Sequence, residues 1–203
     1  MEPDLRTRVL TAAVDLFAQQ GYERTSVSQV VTAAGVAKGG FYHHFASKED
    51  LLYEVYGDLI DRQVAAMDEL AARGGPPATT LRAMIVELVV STAGSAQQAK
   101  VFWREMHSLG DERAEQYRRQ RRRCHDAVRG VVRAGQTDGS FATAVAADTV
   151  TFTIFGVVNE LPVWYRPTGR KRPQQLGAEI AEFVLTGLGV APRADTVERE
   201  SDD

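Results

Sequence analysis

The sequence predicts an all-α protein of about nine helices. Apolar residues recur at spacings of three and four along nearly the whole chain. Single glycines and one Gly-Gly-Pro-Pro cluster interrupt that pattern. No stretch shows the strict alternation of a half-buried strand.

Taken in order, residues 5–20 form an amphipathic helix with Leu5, Val9, Ala12, Ala13, Leu16 and Phe17 on one face, ended by Gly21. Ser26 and Gln29 have capping-box spacing and open a short second helix to about Ala34. Gly35 makes the turn into a third, about Ala37 to His44. Ser47-Lys48-Glu49-Asp50 caps a fourth, 47–72, with Leu51, Leu52, Val55 and Leu59 on its apolar face.

Gly74-Gly75-Pro76-Pro77 is the clearest break. After it, Thr79 or Thr80 caps a helix carrying Leu81, Met84, Ile85, Leu88, Val89 and Thr92, ended by Gly94. A shorter helix holds Val101, Phe102, Trp103 and Met106. An Arg-rich helix runs from 111 to 134 and closes at Gly135, and Thr137-Asp138-Gly139-Ser140 is a turn. The last two helices are expected at about 144–164 and 173–188. This divides the chain into a three-helix unit at 1–50, a helical bundle at 51–192 and an acidic tail at 193–203, expected to fray.

Of the 203 residues, 44% are hydrophobic and 25% charged, and no apolar run approaches the roughly 20 residues of a membrane span. Cys124 is the only cysteine, and the acidic start Met1-Glu2-Pro3-Asp4 lacks a secretion pattern, so a cytoplasmic location is expected. The net charge of −3 argues against coating of nucleic acid, which needs a broad basic field. Residues 1–50 carry five basic and six acidic side chains, so any DNA affinity there depends on placement.

The stretch from 25 to 51 carries the most functional information. Two short helices joined through a glycine make a helix-turn-helix, whose second helix has the size to enter a major groove. Gly39-Gly40 inside that helix is costly, about 1 kcal/mol per glycine against alanine. Close approach of the backbone to a phosphate or base edge would compensate for it. Lys38, Tyr42, His43, His44 and Lys48 surround the pair as hydrogen-bond donors, above an expected small core of Val30, Val36, Phe41 and Phe45.

With its Ala-Gly-Val turn, its Tyr-His-His-Phe run and its Ser-Lys-Glu start of the fourth helix, this stretch resembles the DNA-binding signature of TetR-family transcriptional regulators. The resemblance covers about residues 5–60. It implies DNA contacts from Thr25, Ser26, Lys38, Gly39, Gly40, Tyr42, His43, His44 and Lys48. Ala37 departs from it, since many relatives carry Ser or Thr there. Plainer readings stand beside these: Thr25 and Ser26 as caps, Lys48 as a solvated charge, and one of the two histidines facing inward, because adjacent helix positions point about 100° apart.

The resemblance further implies a homodimer formed through 144–164 and 173–188, and a cavity for a small-molecule effector whose binding releases a pseudo-palindromic operator. The fourth helix would be the lever. Candidate ligand residues are Met84, Phe102, Trp103, Met106, Phe152, Phe155, Trp164 and Arg166, with ordinary core as the alternative for most. Trp164-Tyr165-Arg166-Pro167-Thr168-Gly169, followed by Pro173-Gln174-Gln175, resembles a segment of family members that govern fatty-acid and steroid-ring degradation and respond to acyl-CoA thioesters. Residues 100–133 carry ten basic side chains against five acidic, which suit CoA phosphates or a solvated helix face.

No cofactor, metal site or catalytic group is expected. Cys124 and His125 are helix neighbours and do not face one another, so a nucleophile–base pair is disfavoured. A ligand-binding scaffold that does not bind DNA is the remaining alternative.

Overall fold

The computed structural model describes residues 3–191. The acidic tail at 193–203 lies outside them. Among the described residues there are nine α-helices and no strand. They are α1 (Leu5–Gln20), α2 (Val27–Ala34), α3 (Lys38–His44), α4 (Lys48–Ala72), α5 (Pro77–Gly94), α6 (Ala96–Glu105), α7 (Asp111–Thr137), α8 (Ala147–Trp164) and α9 (Pro173–Gly187), with a 3₁₀ turn at Met106–Ser108.

The first four helices begin and end where the local signals put them. Asp4 accepts from the Thr7 amide at 2.7 Å, and Gly21 closes α1 with φ +86°. Ser26 and Gln29 exchange both bonds of a capping box, and Gly35 ends α2 in the left-handed region. Ser47 caps α4 by accepting from the Asp50 amide at 2.9 Å. Val9, Ala13, Phe17, Val30, Phe41 and Phe45 are buried together as the core of this N-terminal head.

Three later boundaries differ from expectation. α5 starts at Pro77 rather than at Thr79 or Thr80, because proline's missing N–H costs nothing in the first turn. α7 does not stop at Gly135. That residue is buried inside the helix with the Phe141 ring lying on it, where a Cβ would fall 2.3 Å from the ring. Gly139, at φ +80°, makes the turn, and α8 begins only at Ala147 rather than near 144.

α5 is the axis of the C-terminal bundle, packing against α4, α7, α8 and α9. Its Leu81, Met84, Ile85, Leu88 and Val89 are fully buried. α4 is continuous, its first turn touching the head and its remainder lying along α7. No helix among the described residues is long and apolar enough to cross a membrane.

Candidate DNA-reading surface and effector groove

The helix-turn-helix is held from both ends. Besides the Ser26 cap, the Arg8 guanidinium donates to the Ala34 carbonyl at 2.7 and 3.1 Å and to the Gly35 carbonyl at 2.8 Å. It thereby satisfies the C-terminal carbonyls of α2 and sets the turn into α3. The sequence reading missed this role of Arg8. Its signal is a cation whose partners lie 26 and 27 residues ahead, beyond any local pattern.

On α3, Phe41 anchors the helix in the core and Lys38, Gly39, Tyr42, His43 and His44 are exposed, Tyr42 to 52%. Both histidines face outward, with ring centroids 5.1 Å apart, so neither takes the inward position expected of one of them. Ala37 offers no hydroxyl to the first amides of α3.

The glycine pair divides. Gly39 has open space where a side chain would be, whereas a Cβ on Gly40 would meet Leu5 Cδ1 at 2.9 Å. Gly40 is half-buried beside the Leu5 side chain of α1, whereas Gly39 leaves fully bare backbone on the surface.

Of the two expected hydroxyl contacts, one changes. Thr25 is only 1% exposed; its Oγ1 donates to the Gly21 carbonyl at 2.8 Å and accepts from Gln20 at 3.0 Å. Its side chain is an internal lock on the α1–α2 turn and does not face a groove. Ser26 remains exposed as the cap of α2. Lys48 lies 4.1 Å over the Tyr22 ring and donates to the Tyr22 carbonyl at 3.1 Å, which holds its ammonium beside the head.

Of the residues expected to line a cavity, Trp103 and Phe152 border concave surface, and the others divide between core and exterior. Met84 and Phe102 are fully buried in close-packed core, with Phe102 stacked on Tyr56 at 4.7 Å. Phe155 is also buried. Trp103 and Met106 are half-buried. Phe152 and Trp164 are 65% and 46% exposed, and Arg166 is exposed and donates to the Val163 carbonyl at 3.0 Å. Bulky apolar residues on neighbouring turns were bound to divide this way, since a helix has two sides.

The concave surface lies between α7 and α8. One depression of about 420 Å³ is lined by Arg118, Arg121, Arg122, His125, Asp126, Arg129, Asp148, Thr151 and Phe152. A second, of about 390 Å³, includes Lys100, Trp103, Arg121, Asn159, Glu160, Pro162 and Val163. Arg121 borders both and places its guanidinium 5.2 Å over the Trp103 ring, so the two depressions adjoin at this side chain along the α7–α8 groove.

His125 forms part of the groove wall. Its ring lies flat on Phe155 at 3.8 Å, and its buried Nε2 has no hydrogen-bond partner. Burial, reinforced by Arg121, pushes its pKa down to about 4, so the ring is neutral at physiological pH. Its neighbour Cys124 sits in the core, where burial pushes the thiol up to about 12. A thiol held there is not a nucleophile at neutral pH.

α8 is apolar on both sides. Val150, Ile154, Phe155, Val158 and Leu161 face the core, while Phe152, Val157, Val163 and Trp164 face outward. Beside them on α9, Phe183 is 79% exposed at the edge of an apolar depression of about 660 Å³ shared with Val145, Val150, Val184 and Leu188.

Comparison with known proteins gives two family matches. Residues 9–55 match the family of bacterial regulatory proteins called tetR, and residues 74–188 match the tetracyclin repressor-like C-terminal domain. The chain is 28% identical over 184 residues to the HTH-type transcriptional repressor KstR2 of Rhodococcus jostii (strain RHA1), covering 90% of each. Among solved structures, it is similar to the TetR family transcriptional regulator PfmR from Thermus thermophilus, with TM-score 0.80, 28% identity and coverage of 89% and 98% of the two chains. AibR, solved in complex with isovaleryl coenzyme A and operator DNA, shares the fold at TM-score 0.74 and 22% identity, covering 89% and 97%.

Proposed function

The chain belongs to the TetR family of transcriptional regulators, and from that premise we propose that it is a cytoplasmic repressor whose operator is released by an acyl-CoA-type effector. The observation that carries the DNA-binding half is the α3 surface. Lys38, the bare backbone at Gly39, Tyr42, His43 and His44 stand outward together on a helix-turn-helix pinned by Ser26 and Arg8. Donors on a short rigid helix suit phosphate positioning and base-edge reading, while Ser26 and Lys48 flank it. Gly40 and Thr25 act by shaping the head.

A homodimer is supported by the two-sided α8. A helix that leaves large apolar side chains outward is covered in its working state, and α8 shares an apolar depression with Phe183 on α9. A twofold pairing of these faces would present two α3 helices to half-sites about one helical turn, or a multiple of it, apart.

The effector site is the α7–α8 groove. Its arginines suit phosphates and its aromatic walls suit an apolar or ring system. The Trp164 to Gln175 segment resembles acyl-CoA-responsive regulators, and AibR, a protein of this fold, holds isovaleryl coenzyme A and operator DNA.

Fluorescence anisotropy against DNA from upstream of its own gene, at about 150 mM salt with competitor DNA, tests the reading, since specific regulators bind at roughly 10⁻⁸ M or tighter. Saturable, salt-sensitive binding that acyl-CoA thioesters weaken is expected. Absence of selective binding there and to a genomic fragment pool would favour a ligand-binding scaffold instead.

A further inference from the structure

The groove and the reading head are separate sites, and two helices touch both: α6, through Lys100, Trp103 and Arg104, and α7. α7 spans 27 residues, about 40 Å at 1.5 Å per residue, with no proline to bend it. Arg118, Arg121, His125 and Arg129, a stripe at spacings of three and four, line the groove. The neighbouring stripe lies on α4: Tyr117 packs on Tyr56, Gln120 accepts from the Tyr53 hydroxyl at 2.8 Å, and Arg123 pairs with Asp68 at 2.7 Å.

The N-terminal end of α7 grips the head. The Gly110 amide donates to Glu49 Oε1 at 2.9 Å, and Arg113 pairs with Asp50 while its guanidinium lies 4.7 Å over the Tyr53 ring. Asp50 also accepts from the Ala46 amide at 3.0 Å, immediately after α3. At the end of α6, Arg104 donates to the Phe17 carbonyl in the last turn of α1. Residues 104–113 therefore hold the head at two points, behind α1 and behind α3. α4, by contrast, contributes no wall to the groove.

We propose that α7 is the coupling arm of this regulator, and that Arg113 and the Gly110 amide are positioning groups that orient the reading helix through Asp50 and Glu49. A ligand wedged between α7 and α8 shifts α7 as a rod, and the shift arrives at the connection between α3 and α4. This rests on the reading of the head as an operator binder, but not on the identity of the effector.

Coupling between two sites is reciprocal, so DNA bound at the head must alter α7 at the groove. The test uses hydrogen exchange of the full-length protein with and without a duplex that the protein itself selects from a random-sequence pool. Saturation with that duplex is expected to change exchange across residues 118–129 by about fivefold in the wild type. In Arg113→Gln the change is expected to vanish while the duplex is still bound within about tenfold of wild-type affinity. Glu49→Ala, which removes the acceptor of the Gly110 amide and leaves Arg113 packed on Tyr53, is expected to halve the response and keeps the test decisive should Arg113→Gln loosen the fold. A selected duplex that leaves 118–129 unchanged in the wild type, or a response that survives both substitutions, overturns this proposal alone. A pool that yields no duplex overturns the DNA-binding reading and this proposal with it.

Discussion

The head and the bundle leave opposite kinds of surface without partners. On the head, what faces outward on α3 is polar: an ammonium, a phenol, two imidazoles and bare backbone. On the bundle, α8 and α9 leave large apolar side chains outward among polar ones, with Val157, Trp164 and Phe183 outside the groove. A polyanion can satisfy the first without removing it from water, whereas only another apolar surface satisfies the second. On the proposed reading, DNA completes the first surface and a second copy of the chain completes the second.

The comparison breaks most visibly if a residue assigned to the interior proves to be a surface. Phe102→Ala is expected to cost about 3–5 kcal/mol in urea unfolding, the range for a buried phenylalanine that leaves a cavity. A cost below about 1 kcal/mol would return Phe102 to the wall of a ligand cavity. Phe183→Asp addresses the outward face. Because a twofold interface contains the change twice, dimer affinity is expected to fall by about 4 kcal/mol, roughly a thousandfold, in sedimentation equilibrium. Monomer helicity should be unchanged, since the ring is 79% exposed. An unaltered dimer would place the interface elsewhere.

Two glycines sharpen the contrast, because the same substitution should act in opposite directions. Gly135→Ala drives a methyl into the Phe141 ring and is expected to destabilise the bundle by about 1–3 kcal/mol, the cost of overpacking. Gly39→Ala enters open space within a helix and is expected to stabilise the head by about 1 kcal/mol, while operator affinity falls about tenfold. Unchanged operator binding in Gly39→Ala would mean that DNA does not approach its backbone.

How far the sequence could be read follows the same division. Asp4, Ser26 with Gln29, Gly35 and Ser47 act within four residues of themselves, so α1 to α4 could be placed from local chemistry. Gly135 and Gly139 carry the same letter, yet one is a packing site and the other a turn. Phe141, which decides between them, touches Gly135 only after the chain has folded back. Thr25 and Ser26 are adjacent hydroxyls, one buried as a lock and one exposed as a cap. The groove joins residues near 120 with others near 150 and 160, and periodicity in either helix alone does not reveal it.

A further expected effect concerns His125, where the groove meets the core. In the unfolded chain its ring takes a proton near its ordinary value of 6.5; in the fold, burial and then Arg121 lower that to about 4, against the opposing pull of Asp126. A depressed imidazole favours folding fully above pH 6.5, and the benefit is lost as pH falls from there towards 4, because the unfolded state binds the proton first. The wild-type melting temperature should therefore drop more steeply between pH 6.5 and 4.5 than that of His125→Gln. An equal slope in both proteins would mean that water or a ligand reaches Nε2 and that the ring is not held neutral. Filling the groove with an anion that accepts from Nε2–H should raise the imidazole pKa and reduce that slope, linking the acid response of the bundle to occupancy of the effector site.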